Sequence, residues 1–284
     1  MSNFSGIWIP LITPFSAGAV DHRALASLVE RYNRQGVAGF AALGTTGEPA
    51  ALAQDEREAV LDTILRAAGG TPVMAGIAGN QTAQLHESVR RFNEFPLAGL
   101  LISAPYYIRP SQAALVDHFS GLADRSEKPL ILYDIPHRTG VRIELETLLV
   151  LAAHPRIVAI KDCAGSTETT RALIVDGRLN VLAGNDEALF STLCMGGSGA
   201  ISAAAHVRTE RFVAMYRAIE RGDLIEARHL FHELTPLIQA LGSEPNPAPV
   251  KAALAGLGLV ANELRAPMTV ASSELGNRLA RLAA

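Results

Sequence analysis

The stretch that decides the fold lies at residues 129–161, PLILYDIPHRTGVRIELETLLVLAAHPRIVAIK. It opens with the apolar run Pro129–Tyr133 and closes with a second one, Ile157–Lys161. Short, continuous apolar runs of this kind are typical of strands that are buried on both faces of a parallel sheet. Between them, Glu144–Ala153 shows helical spacing of its apolar residues. The stretch therefore predicts a strand, a crossover helix and a parallel strand.

Apolar runs of the same kind recur on both sides of this unit. Each one is bounded by Gly, Pro or polar residues, which is the usual punctuation of strands. The runs predict eight strands: Gly6–Thr13, Gly39–Gly44, Pro72–Ile77, Gly99–Ser103, Pro129–Tyr133, Ile157–Lys161, Asn180–Ala183 and Gly199–Ser202.

Helical patterns fill the gaps between these runs. The first has a plausible N-cap at Asp21 and a C-terminal glycine at Gly36. Eight strand-then-helix units favour a closed (β/α)8 TIM barrel, with an open doubly wound sheet as the alternative. The later helices are predicted after Gln54 and Ser111, around Leu85–Phe92, and at Glu144–Ala153, Ser166–Val175, Glu187–Met195 and His206–Arg221.

No strand signal follows residue 202, and the C-terminal part of the chain reads as helices alone. We therefore predict an α/β protein with two parts, a barrel at residues 1–222 and a C-terminal helical appendage at 223–284. The appendage helices are predicted at Asp223–Ala240, Pro247–Leu257 and Ser272–Leu282, with the Pro-rich turn Glu244–Pro249 between the first two.

Composition limits the possible partners. The chain has 284 residues, 49% of them hydrophobic, and a formal net charge of −3. Without a basic excess we expect no nucleic-acid partner. No apolar stretch approaches the length of a membrane helix, Met1–Ser5 lacks the basic start of a signal peptide, and two cysteines are too few for a disulfide framework. We expect a cytoplasmic protein.

The sequence shows no motif for a metal or an organic cofactor. There is no G-x-G-x-x-G after a strand, no Walker lysine and no H-E-x-x-H helix. His229 and His232 share a helix face, but they lack a third ligand and are expected to be a surface pair. We therefore expect neither a metal nor a cofactor.

Polar residues follow the predicted strands at their carboxyl ends, where barrel enzymes place their sites. Hydroxyls, phenols and one amine collected there suit a polar, anionic carbonyl compound. They are Thr45, Thr46 and Glu48 after the second strand, Tyr106 and Tyr107 after the fourth, Tyr133, Lys161, Asn185 and Asp186, and Ser202.

Lys161 is the most informative of these residues. Four apolar residues lead into it, and buried lysines are rare. Desolvation favours the neutral amine, so we expect a lowered pKa and a nucleophile of the Schiff-base type. Tyr133 ends the neighbouring strand and is placed to shuttle a proton. The alternative is that Lys161 extends to solvent or pairs with Asp162.

Three loops allow two readings each. Arg138, in the loop after Tyr133, is either a ligand for a carboxylate or a surface arginine. Thr45 and Thr46 either bind an anion or form a Gly-bounded turn, with Glu48 opening the next helical segment. Gly196–Gly199 either cradles a phosphate or, as we expect, forms a tight turn.

At these residues the sequence resembles the dihydrodipicolinate synthase and N-acetylneuraminate lyase superfamily of Schiff-base aldolases, over essentially the whole chain. The double threonine and the arginine before Thr139-Gly140 resemble the synthase branch. The matching motifs are Thr13-Pro14-Phe15, Gly44-Thr45-Thr46-Gly47-Glu48, Pro105-Tyr106-Tyr107, Tyr133 with Arg138-Thr139-Gly140, Lys161, Gly184-Asn185-Asp186, Gly199-Ala200-Ile201-Ser202 and Glu244-Pro245-Asn246-Pro247.

The resemblance implies the reaction and the residues that perform it. By this resemblance, Lys161 is expected to form an imine with pyruvate. Thr46 and the backbone at Ile201 are expected to hold the pyruvate carboxylate. Tyr133 is expected to transfer protons together with Thr45 and with Tyr107 from a neighbouring subunit. The shared tyrosine implies a dimer, which in the family usually pairs into a tetramer. Arg138 is expected to bind the carboxylate of L-aspartate 4-semialdehyde. Condensation of the two substrates would give 4-hydroxy-tetrahydrodipicolinate for lysine and diaminopimelate biosynthesis.

Two other functions remain open from the sequence. One is a sibling lyase or aldolase, acting on N-acetylneuraminate or on a 2-keto-3-deoxy sugar acid, which would use the same imine with another acceptor pocket. The other is a non-catalytic sensor of 2-keto acids. His137 and Asp162-Cys163 differ from the commonest synthase pattern, and Gln54, Arg57 and Gln84 depart from the site that binds inhibitory lysine in the family.

Overall fold

The computed structural model describes residues 4–283. Eight parallel strands close into a barrel in the order β1-β10-β9-β8-β7-β6-β5-β4, so the predicted fold class is confirmed. The barrel strands are β1 (Gly6–Pro10), β4 (Gly39–Ala42), β5 (Val73–Ile77), β6 (Gly99–Ser103), β7 (Leu130–Asp134), β8 (Ile157–Asp162), β9 (Asn180–Ala183) and β10 (Gly199–Ile201), and a short antiparallel pair is formed by β2 (Phe15–Ser16) and β3 (Ala19–Val20).

Helices follow the barrel strands and make up the C-terminal part of the chain. Asp21, Ser111, Ser166 and Asp223 cap their helices as side-chain acceptors, as residues of these types commonly do. The helices are α1 (His22–Arg34), α2 (Gln54–Ala68), α3 (Thr82–Asn93), α4 (Gln112–Arg125), α5 (Pro136–Thr139), α6 (Leu145–Leu151), α7 (Thr167–Asp176), α8 (Leu189–Cys194), α9 (Thr209–Glu220), α10 (Leu224–Gly242), α11 (Ala248–Gly256) and α12 (Ser273–Ala283).

The first strand is shorter than predicted. The run Gly6–Thr13 is buried throughout, but β1 ends at Pro10. Beyond it the Ile12 N–H donates to Nε2 of His206 rather than to a neighbouring strand. Apolarity therefore continues past the point where the hydrogen-bonded ladder stops. No sequence pattern predicted the β2–β3 pair. The segment Glu187–Met195, predicted as one helix, divides into a 3-10 turn, Asp186–Ala188, followed by α8.

Packing divides the chain into two compact units. The first contains residues 4–5 and 74–201, and the second contains residues 6–73 and 202–283. The predicted boundary between residues 222 and 223 remains a prediction.

The register of β7 and β8 in the first unit positions the chemistry. Tyr133 is paired with Lys161, and Asp134 is paired with Asp162. Since side chains alternate between the two faces of a sheet, Tyr133 and Lys161 share one face and the two aspartates share the other. The strand interiors are buried, and Leu130, Ile131, Leu132, Ala159 and Ile160 belong to the core.

A buried ion pair marks the second unit. Lys251 on α11 is 0% exposed and its Nζ lies 2.5 Å from Oε1 of Glu48. The ammonium also donates to the Glu263 carbonyl at 2.9 Å and lies 4.1 Å from the centroid of the Phe15 ring. Burial lowers the pKa of Lys251, and the Glu48 carboxylate opposes that shift. Two charges are thus kept away from water by satisfying each other.

Replacing only one member of this pair leaves the other charge buried without its partner. We expect Lys251→Met to lower the free energy of unfolding by about 3–5 kcal/mol, whereas adding Glu48→Gln to it recovers most of the loss. Chemical denaturation at neutral pH measures both. As a control, Arg66→Met breaks the exposed Arg66–Asp62 pair and is expected to cost under about 1 kcal/mol. A double variant as unstable as Lys251→Met would contradict this account.

Candidate active site

The site in the first unit is centred on Lys161. This residue stands near the carboxyl end of β8 and is only 6% exposed, and Tyr133 beside it on β7 is 7% exposed. Lys161 Nζ lies 4.4 Å from the centroid of the Tyr133 ring, in cation–π contact with it. The predicted neighbours are therefore brought together, and Lys161 neither extends to solvent nor uses Asp162, whose carboxylate accepts from Ala164 N and Thr170 Oγ1.

Gly184 makes room for the lysine side chain. A Cβ at this position would lie 2.4 Å from Cys163 Sγ and 2.8 Å from Lys161 Cγ, closer than real atoms approach. A residue with a side chain at the end of β9 would therefore displace the lysine stem or the thiol. The sequence marked Gly184 only as part of a motif, and its packing role needed the structure.

The charge of Lys161 differs from the prediction. Burial acts to lower its pKa, as expected, but the neighbouring Tyr133 and Cys163 side chains raise it. Asp186 adds to this effect, and the balance lies above the usual lysine pKa. The predicted lowering is wrong because the acidic neighbours outweigh desolvation. The amine of the free protein is therefore favoured as an ammonium.

Cys163 is the third group at this position and was not predicted as a site residue. Burial raises the pKa of its thiol to about 11. The thiol therefore keeps its proton at neutral pH and is a poor nucleophile. The phenol of Tyr133 neighbours both the amine and the thiol and is the group best placed to relay the lysine proton.

Arg138 lies on the four-residue helix α5, in a segment that we predicted as a loop. Pro136 opens the helix, and Gly140 closes it in the left-handed region at a φ of 80°. The Arg138 side chain is exposed. An exposed guanidinium next to the strand that carries Tyr133 is suited to capture a carboxylate.

The return of the Arg138 loop is held by Asp134, which the sequence analysis did not single out. Its Oδ1 accepts from the Ile143 N–H at 3.2 Å, and its carbonyl accepts from Cys163 N at 2.9 Å. Burial raises the pKa of Asp134 to about 7, the Asp162 charge adds to the shift, and the Ile143 hydrogen bond and Arg142 oppose it. The buried carboxyl group of Asp134 thus fixes the far end of the loop at Ile143, and its backbone carbonyl fixes the near end to Cys163.

Tyr107 is not brought to Lys161 by its own chain. Its backbone has a φ of 73°, its N–H donates to the Thr139 carbonyl at 2.9 Å, and its side chain is 88% exposed. Tyr106 and Ile108 on either side are exposed as well. This short apolar segment is presented outward.

The double threonine in the second unit forms a 3-10 turn, Thr45–Gly47, directly after β4. Thr46 is buried, and its Oγ1 accepts from Asn246 Nδ2 at 2.9 Å, a partner that the sequence analysis missed. Glu48 opens the next helical segment as predicted, but this segment is only a 3-10 turn, Pro49–Ala51. Glu48 stands in the left-handed region and pairs with Lys251, and α2 begins only at Gln54.

The remaining sequence-predicted residues are at the ends of the last strands. Ile201 is the final residue of β10 and is 0% exposed. In the segment Gly196–Gly199, the Gly197 N–H donates to the Thr192 carbonyl and the Ser198 N–H to the Val181 carbonyl. These two N–H groups already donate within the protein and do not offer themselves to a phosphate. The segment is the predicted tight turn.

Among residues 4–283, no three His, Cys, Asp or Glu side chains are placed to share a metal ion. His229 is exposed and lies 3.4 Å from Glu233, and His232 is exposed as well, in agreement with a surface pair. Over the same residues, no helix combines the length and the apolar character needed to cross a bilayer.

The fold and the Lys161–Tyr133 pair together define a class of protein. A lysine that is buried at the carboxyl end of a barrel strand and lies against a tyrosine is typical of a barrel enzyme that works through a Schiff base. Amine and proton carrier are supplied by neighbouring strands, so the barrel itself sets their geometry.

Comparison with known proteins gives the family. The model of the dihydrodipicolinate synthetase family matches residues 3–284, and the chain belongs to this family. The 4-hydroxy-tetrahydrodipicolinate synthase 2 of Clostridium acetobutylicum is 34% identical over 278 residues, which are 96% of this chain and 97% of that protein. The predicted family and its enzymatic nature are thereby confirmed.

Solved structures agree with this assignment. The dihydrodipicolinate synthase of Aquifex aeolicus superposes with a TM-score of 0.95 at 34% identity, covering 98% of this chain and 97% of that one. The chloride-inhibited synthase of Acinetobacter baumannii, complexed with pyruvate, gives a TM-score of 0.95 at 33% identity, again covering 98% and 97% of the two chains.

The raised pKa of Asp134 predicts a pH-dependent stability. The folded protein holds the Asp134 proton more tightly than the unfolded chain, so the unfolding free energy falls as pH rises from about 4 to about 7. Asp134→Asn keeps an acceptor for the Ile143 N–H and cannot ionise. Compared with the wild type, we expect this variant to gain about 2–3 kcal/mol between about pH 5 and pH 8.

Denaturation curves across this pH range measure the difference. Asp117→Asn, at an exposed position on α4, is the control and should leave the pH dependence of the wild type unchanged. Parallel curves for the wild type and Asp134→Asn would show that the Asp134 carboxyl does not titrate in this range.

Proposed function

We propose that this protein is a pyruvate-dependent Schiff-base lyase that condenses pyruvate with L-aspartate 4-semialdehyde to give 4-hydroxy-tetrahydrodipicolinate, as in lysine and diaminopimelate biosynthesis. The observation that carries the proposal is the buried, contacting pair of Lys161 and Tyr133 on neighbouring barrel strands. Family membership supports it, as do relatives named as synthases of this compound. The synthase complexed with pyruvate, at 33% identity, supports the identity of the keto acid.

The first half of the reaction makes the nucleophile. Lys161 is an ammonium in the free protein, so it must lose a proton before its nitrogen attacks the keto carbon of pyruvate. Tyr133 relays this proton: its oxygen takes the lysine proton while its own phenolic proton passes on towards Thr45. A C–N bond forms, Tyr133 returns protons to the departing oxygen, and water leaves the imine. Loss of a proton from the pyruvate methyl group then gives the enamine. The iminium nitrogen accepts the electron pair, so the lysine itself supplies the electron sink.

The second half consumes the aldehyde. The enamine carbon attacks the aldehyde carbon of the semialdehyde, and the aldehyde oxygen takes a proton and becomes the ring hydroxyl. The amino group of the acceptor then adds to the imine carbon, closes the ring and expels Lys161. One pyruvate and one semialdehyde give one cyclic product and one water, with no net oxidation or reduction. No cofactor is required by this chemistry.

The other site residues are assigned by the family resemblance. Thr46 and the backbone at Ile201 bind the pyruvate carboxylate, and Thr45 extends the proton path of Tyr133. Arg138 binds the carboxylate of the aldehyde acceptor, which its exposed guanidinium on α5 favours. These residues follow, or end, different barrel strands at their carboxyl ends, where barrel enzymes collect catalytic groups.

We also propose that the working enzyme is a homo-oligomer, a dimer that pairs into a tetramer. The outward-facing Tyr107, exposed with its neighbours Tyr106 and Ile108, supports a contact in which each subunit supplies Tyr107 to the proton path of the other. The biosynthetic role and the small-molecule substrates further support a location in the cytoplasm, with neither nucleic acid nor membrane as a partner.

Borohydride reduction in the presence of pyruvate tests the first half of the mechanism. We expect a mass increase located at Lys161 by peptide mass spectrometry. Lys161→Ala is expected to lose the adduct and to reduce turnover by more than about 1000-fold, because the electron sink is removed. Lys128→Ala, at a lysine between α4 and β7, is the control and should behave as the wild type. Undiminished turnover by Lys161→Ala would refute the proposal.

Arg138 decides which aldehyde is accepted. Loss of a charged hydrogen-bond donor predicts that Arg138→Leu raises KM for aspartate semialdehyde by roughly 10- to 100-fold, while pyruvate still forms the trapped imine. Arg178→Leu, at a surface arginine paired with Asp176, is the control. If Arg138→Leu retains normal kinetics, or if another aldehyde reacts faster than the semialdehyde, the enzyme belongs to a sibling activity.

A further inference from the structure

The segment from Asn246 to Lys251 holds the double-threonine turn at two points. Asn246 Nδ2 donates to Thr46 Oγ1 at 2.9 Å, across 200 residues of sequence. Lys251, five positions later on α11, pairs with Glu48 at 2.5 Å. A third contact, Thr13 Oγ1 to the Gly47 carbonyl at 2.7 Å, fixes the turn from the opposite end of the chain. The turn is therefore positioned by distant parts of the second unit.

The Asn246 contact also sets the direction of a hydrogen bond. A hydroxyl has one proton to donate and two lone pairs to accept with. Because Thr46 Oγ1 accepts from the Asn246 amide, its own proton has to point elsewhere. Among the residues that the structure describes, the Thr46 hydroxyl makes this one hydrogen bond and donates to no protein group. Its proton is left for an incoming acceptor.

We infer that Asn246 is a positioning residue for 2-keto acid binding: by occupying a lone pair of Thr46 Oγ1, it turns the hydroxyl into an obligatory donor for the substrate carboxylate. The inference rests on the proposed function, since it takes the pyruvate carboxylate as the ligand of Thr46. A carboxylate only accepts hydrogen bonds, so a hydroxyl free to present a lone pair binds it less well. Asn246 acts through Thr46 and makes no bond to the substrate itself.

The Glu48–Lys251 pair keeps this arrangement in place. Glu48 stands in the left-handed region at a φ of 53°, a strained conformation for a residue with a side chain. Its carboxylate is held by Lys251 Nζ and faces the Arg265 N–H at 3.4 Å. The strain is thus balanced by a buried charge contact two residues from Thr46. Since Asn246 directly precedes Pro247 and α11, one segment fixes both the turn and the amide that directs its hydroxyl.

Reversing the polarity of the Asn246–Thr46 bond tests the inference. In Asn246→Asp the carboxylate accepts the Thr46 proton and leaves a lone pair facing the substrate. We expect the pyruvate concentration that half-saturates imine trapping at Lys161 to rise by roughly 10- to 100-fold. At saturating pyruvate, kcat should stay within about threefold of the wild type, because the chemistry is not changed. Asn246→Ala, which merely frees the hydroxyl, should give a smaller rise.

A double-mutant cycle separates this effect from simple charge repulsion. Thr46→Val has no hydroxyl to direct, so in this background Asn246→Asp and Asn246→Ala should change half-saturation by less than about twofold. A full effect of Asn246→Asp in the Thr46→Val background would show repulsion and overturn the inference. Asn277→Asp, which adds the same charge at an exposed position of α12, should behave as the wild type.

The outcomes distinguish the inference from the function on which it rests. If pyruvate is trapped at Lys161 in the wild type but neither Asn246 variant moves half-saturation, the inference fails and the proposed function stands. If the wild type forms no adduct with pyruvate, the proposed function fails and takes the inference with it. Should Asn246→Asp not fold, Asn246→Ala in both Thr46 backgrounds gives the same decision.

Discussion

The burial of one ammonium group against proton-carrying neighbours is the constraint on which the site depends. Lys161 is almost inaccessible, and a buried charge persists only where nearby groups compensate the lost hydration. The Tyr133 ring, 4.4 Å from the ammonium, and Asp186 supply that compensation. The register of β7 and β8 sets the first contact, and the absence of a side chain at Gly184 gives the lysine its space. Strand pairing in the barrel is therefore also the alignment of the reacting groups.

Two lysines are buried among residues 4–283, and their surroundings explain why only one of them is suited to chemistry. Lys251 faces a carboxylate, a carbonyl and an aromatic ring, none of which offers it a proton path. Lys161 faces a phenol and a thiol, both of which carry exchangeable protons. Desolvation acts on both, yet the pKa falls for Lys251 and rises for Lys161. The neighbours, rather than burial, decide what a buried lysine does.

This contrast also explains how far the sequence could predict the molecule. Barrel strands are recognisable because they are continuous apolar runs, and Lys161 is conspicuous because it ends one. Thr46, Arg138 and Tyr107 were candidates from their positions after the strands, and the family resemblance assigned their roles. Lys251 sits in an apolar helix without such a signal, and its partner Glu48 is about 200 residues away. The sign of the Lys161 shift, the role of Asp134 and the Asn246–Thr46 bond all depend on neighbours in space, which local patterns do not contain.

The alternation of side chains along β7 and β8 links the chemistry to its support. Tyr133 and Lys161 point to one face, and the residues that follow them, Asp134 and Asp162, point to the other. Asp134 secures the loop that carries Arg138, and Asp162 accepts from Thr170 on α7. At the end of each of these two strands, a reacting residue is therefore followed directly by an aspartate that holds a neighbouring segment in place. Because a shift of one residue would exchange them, the register that builds the barrel also keeps the reacting groups together on one face.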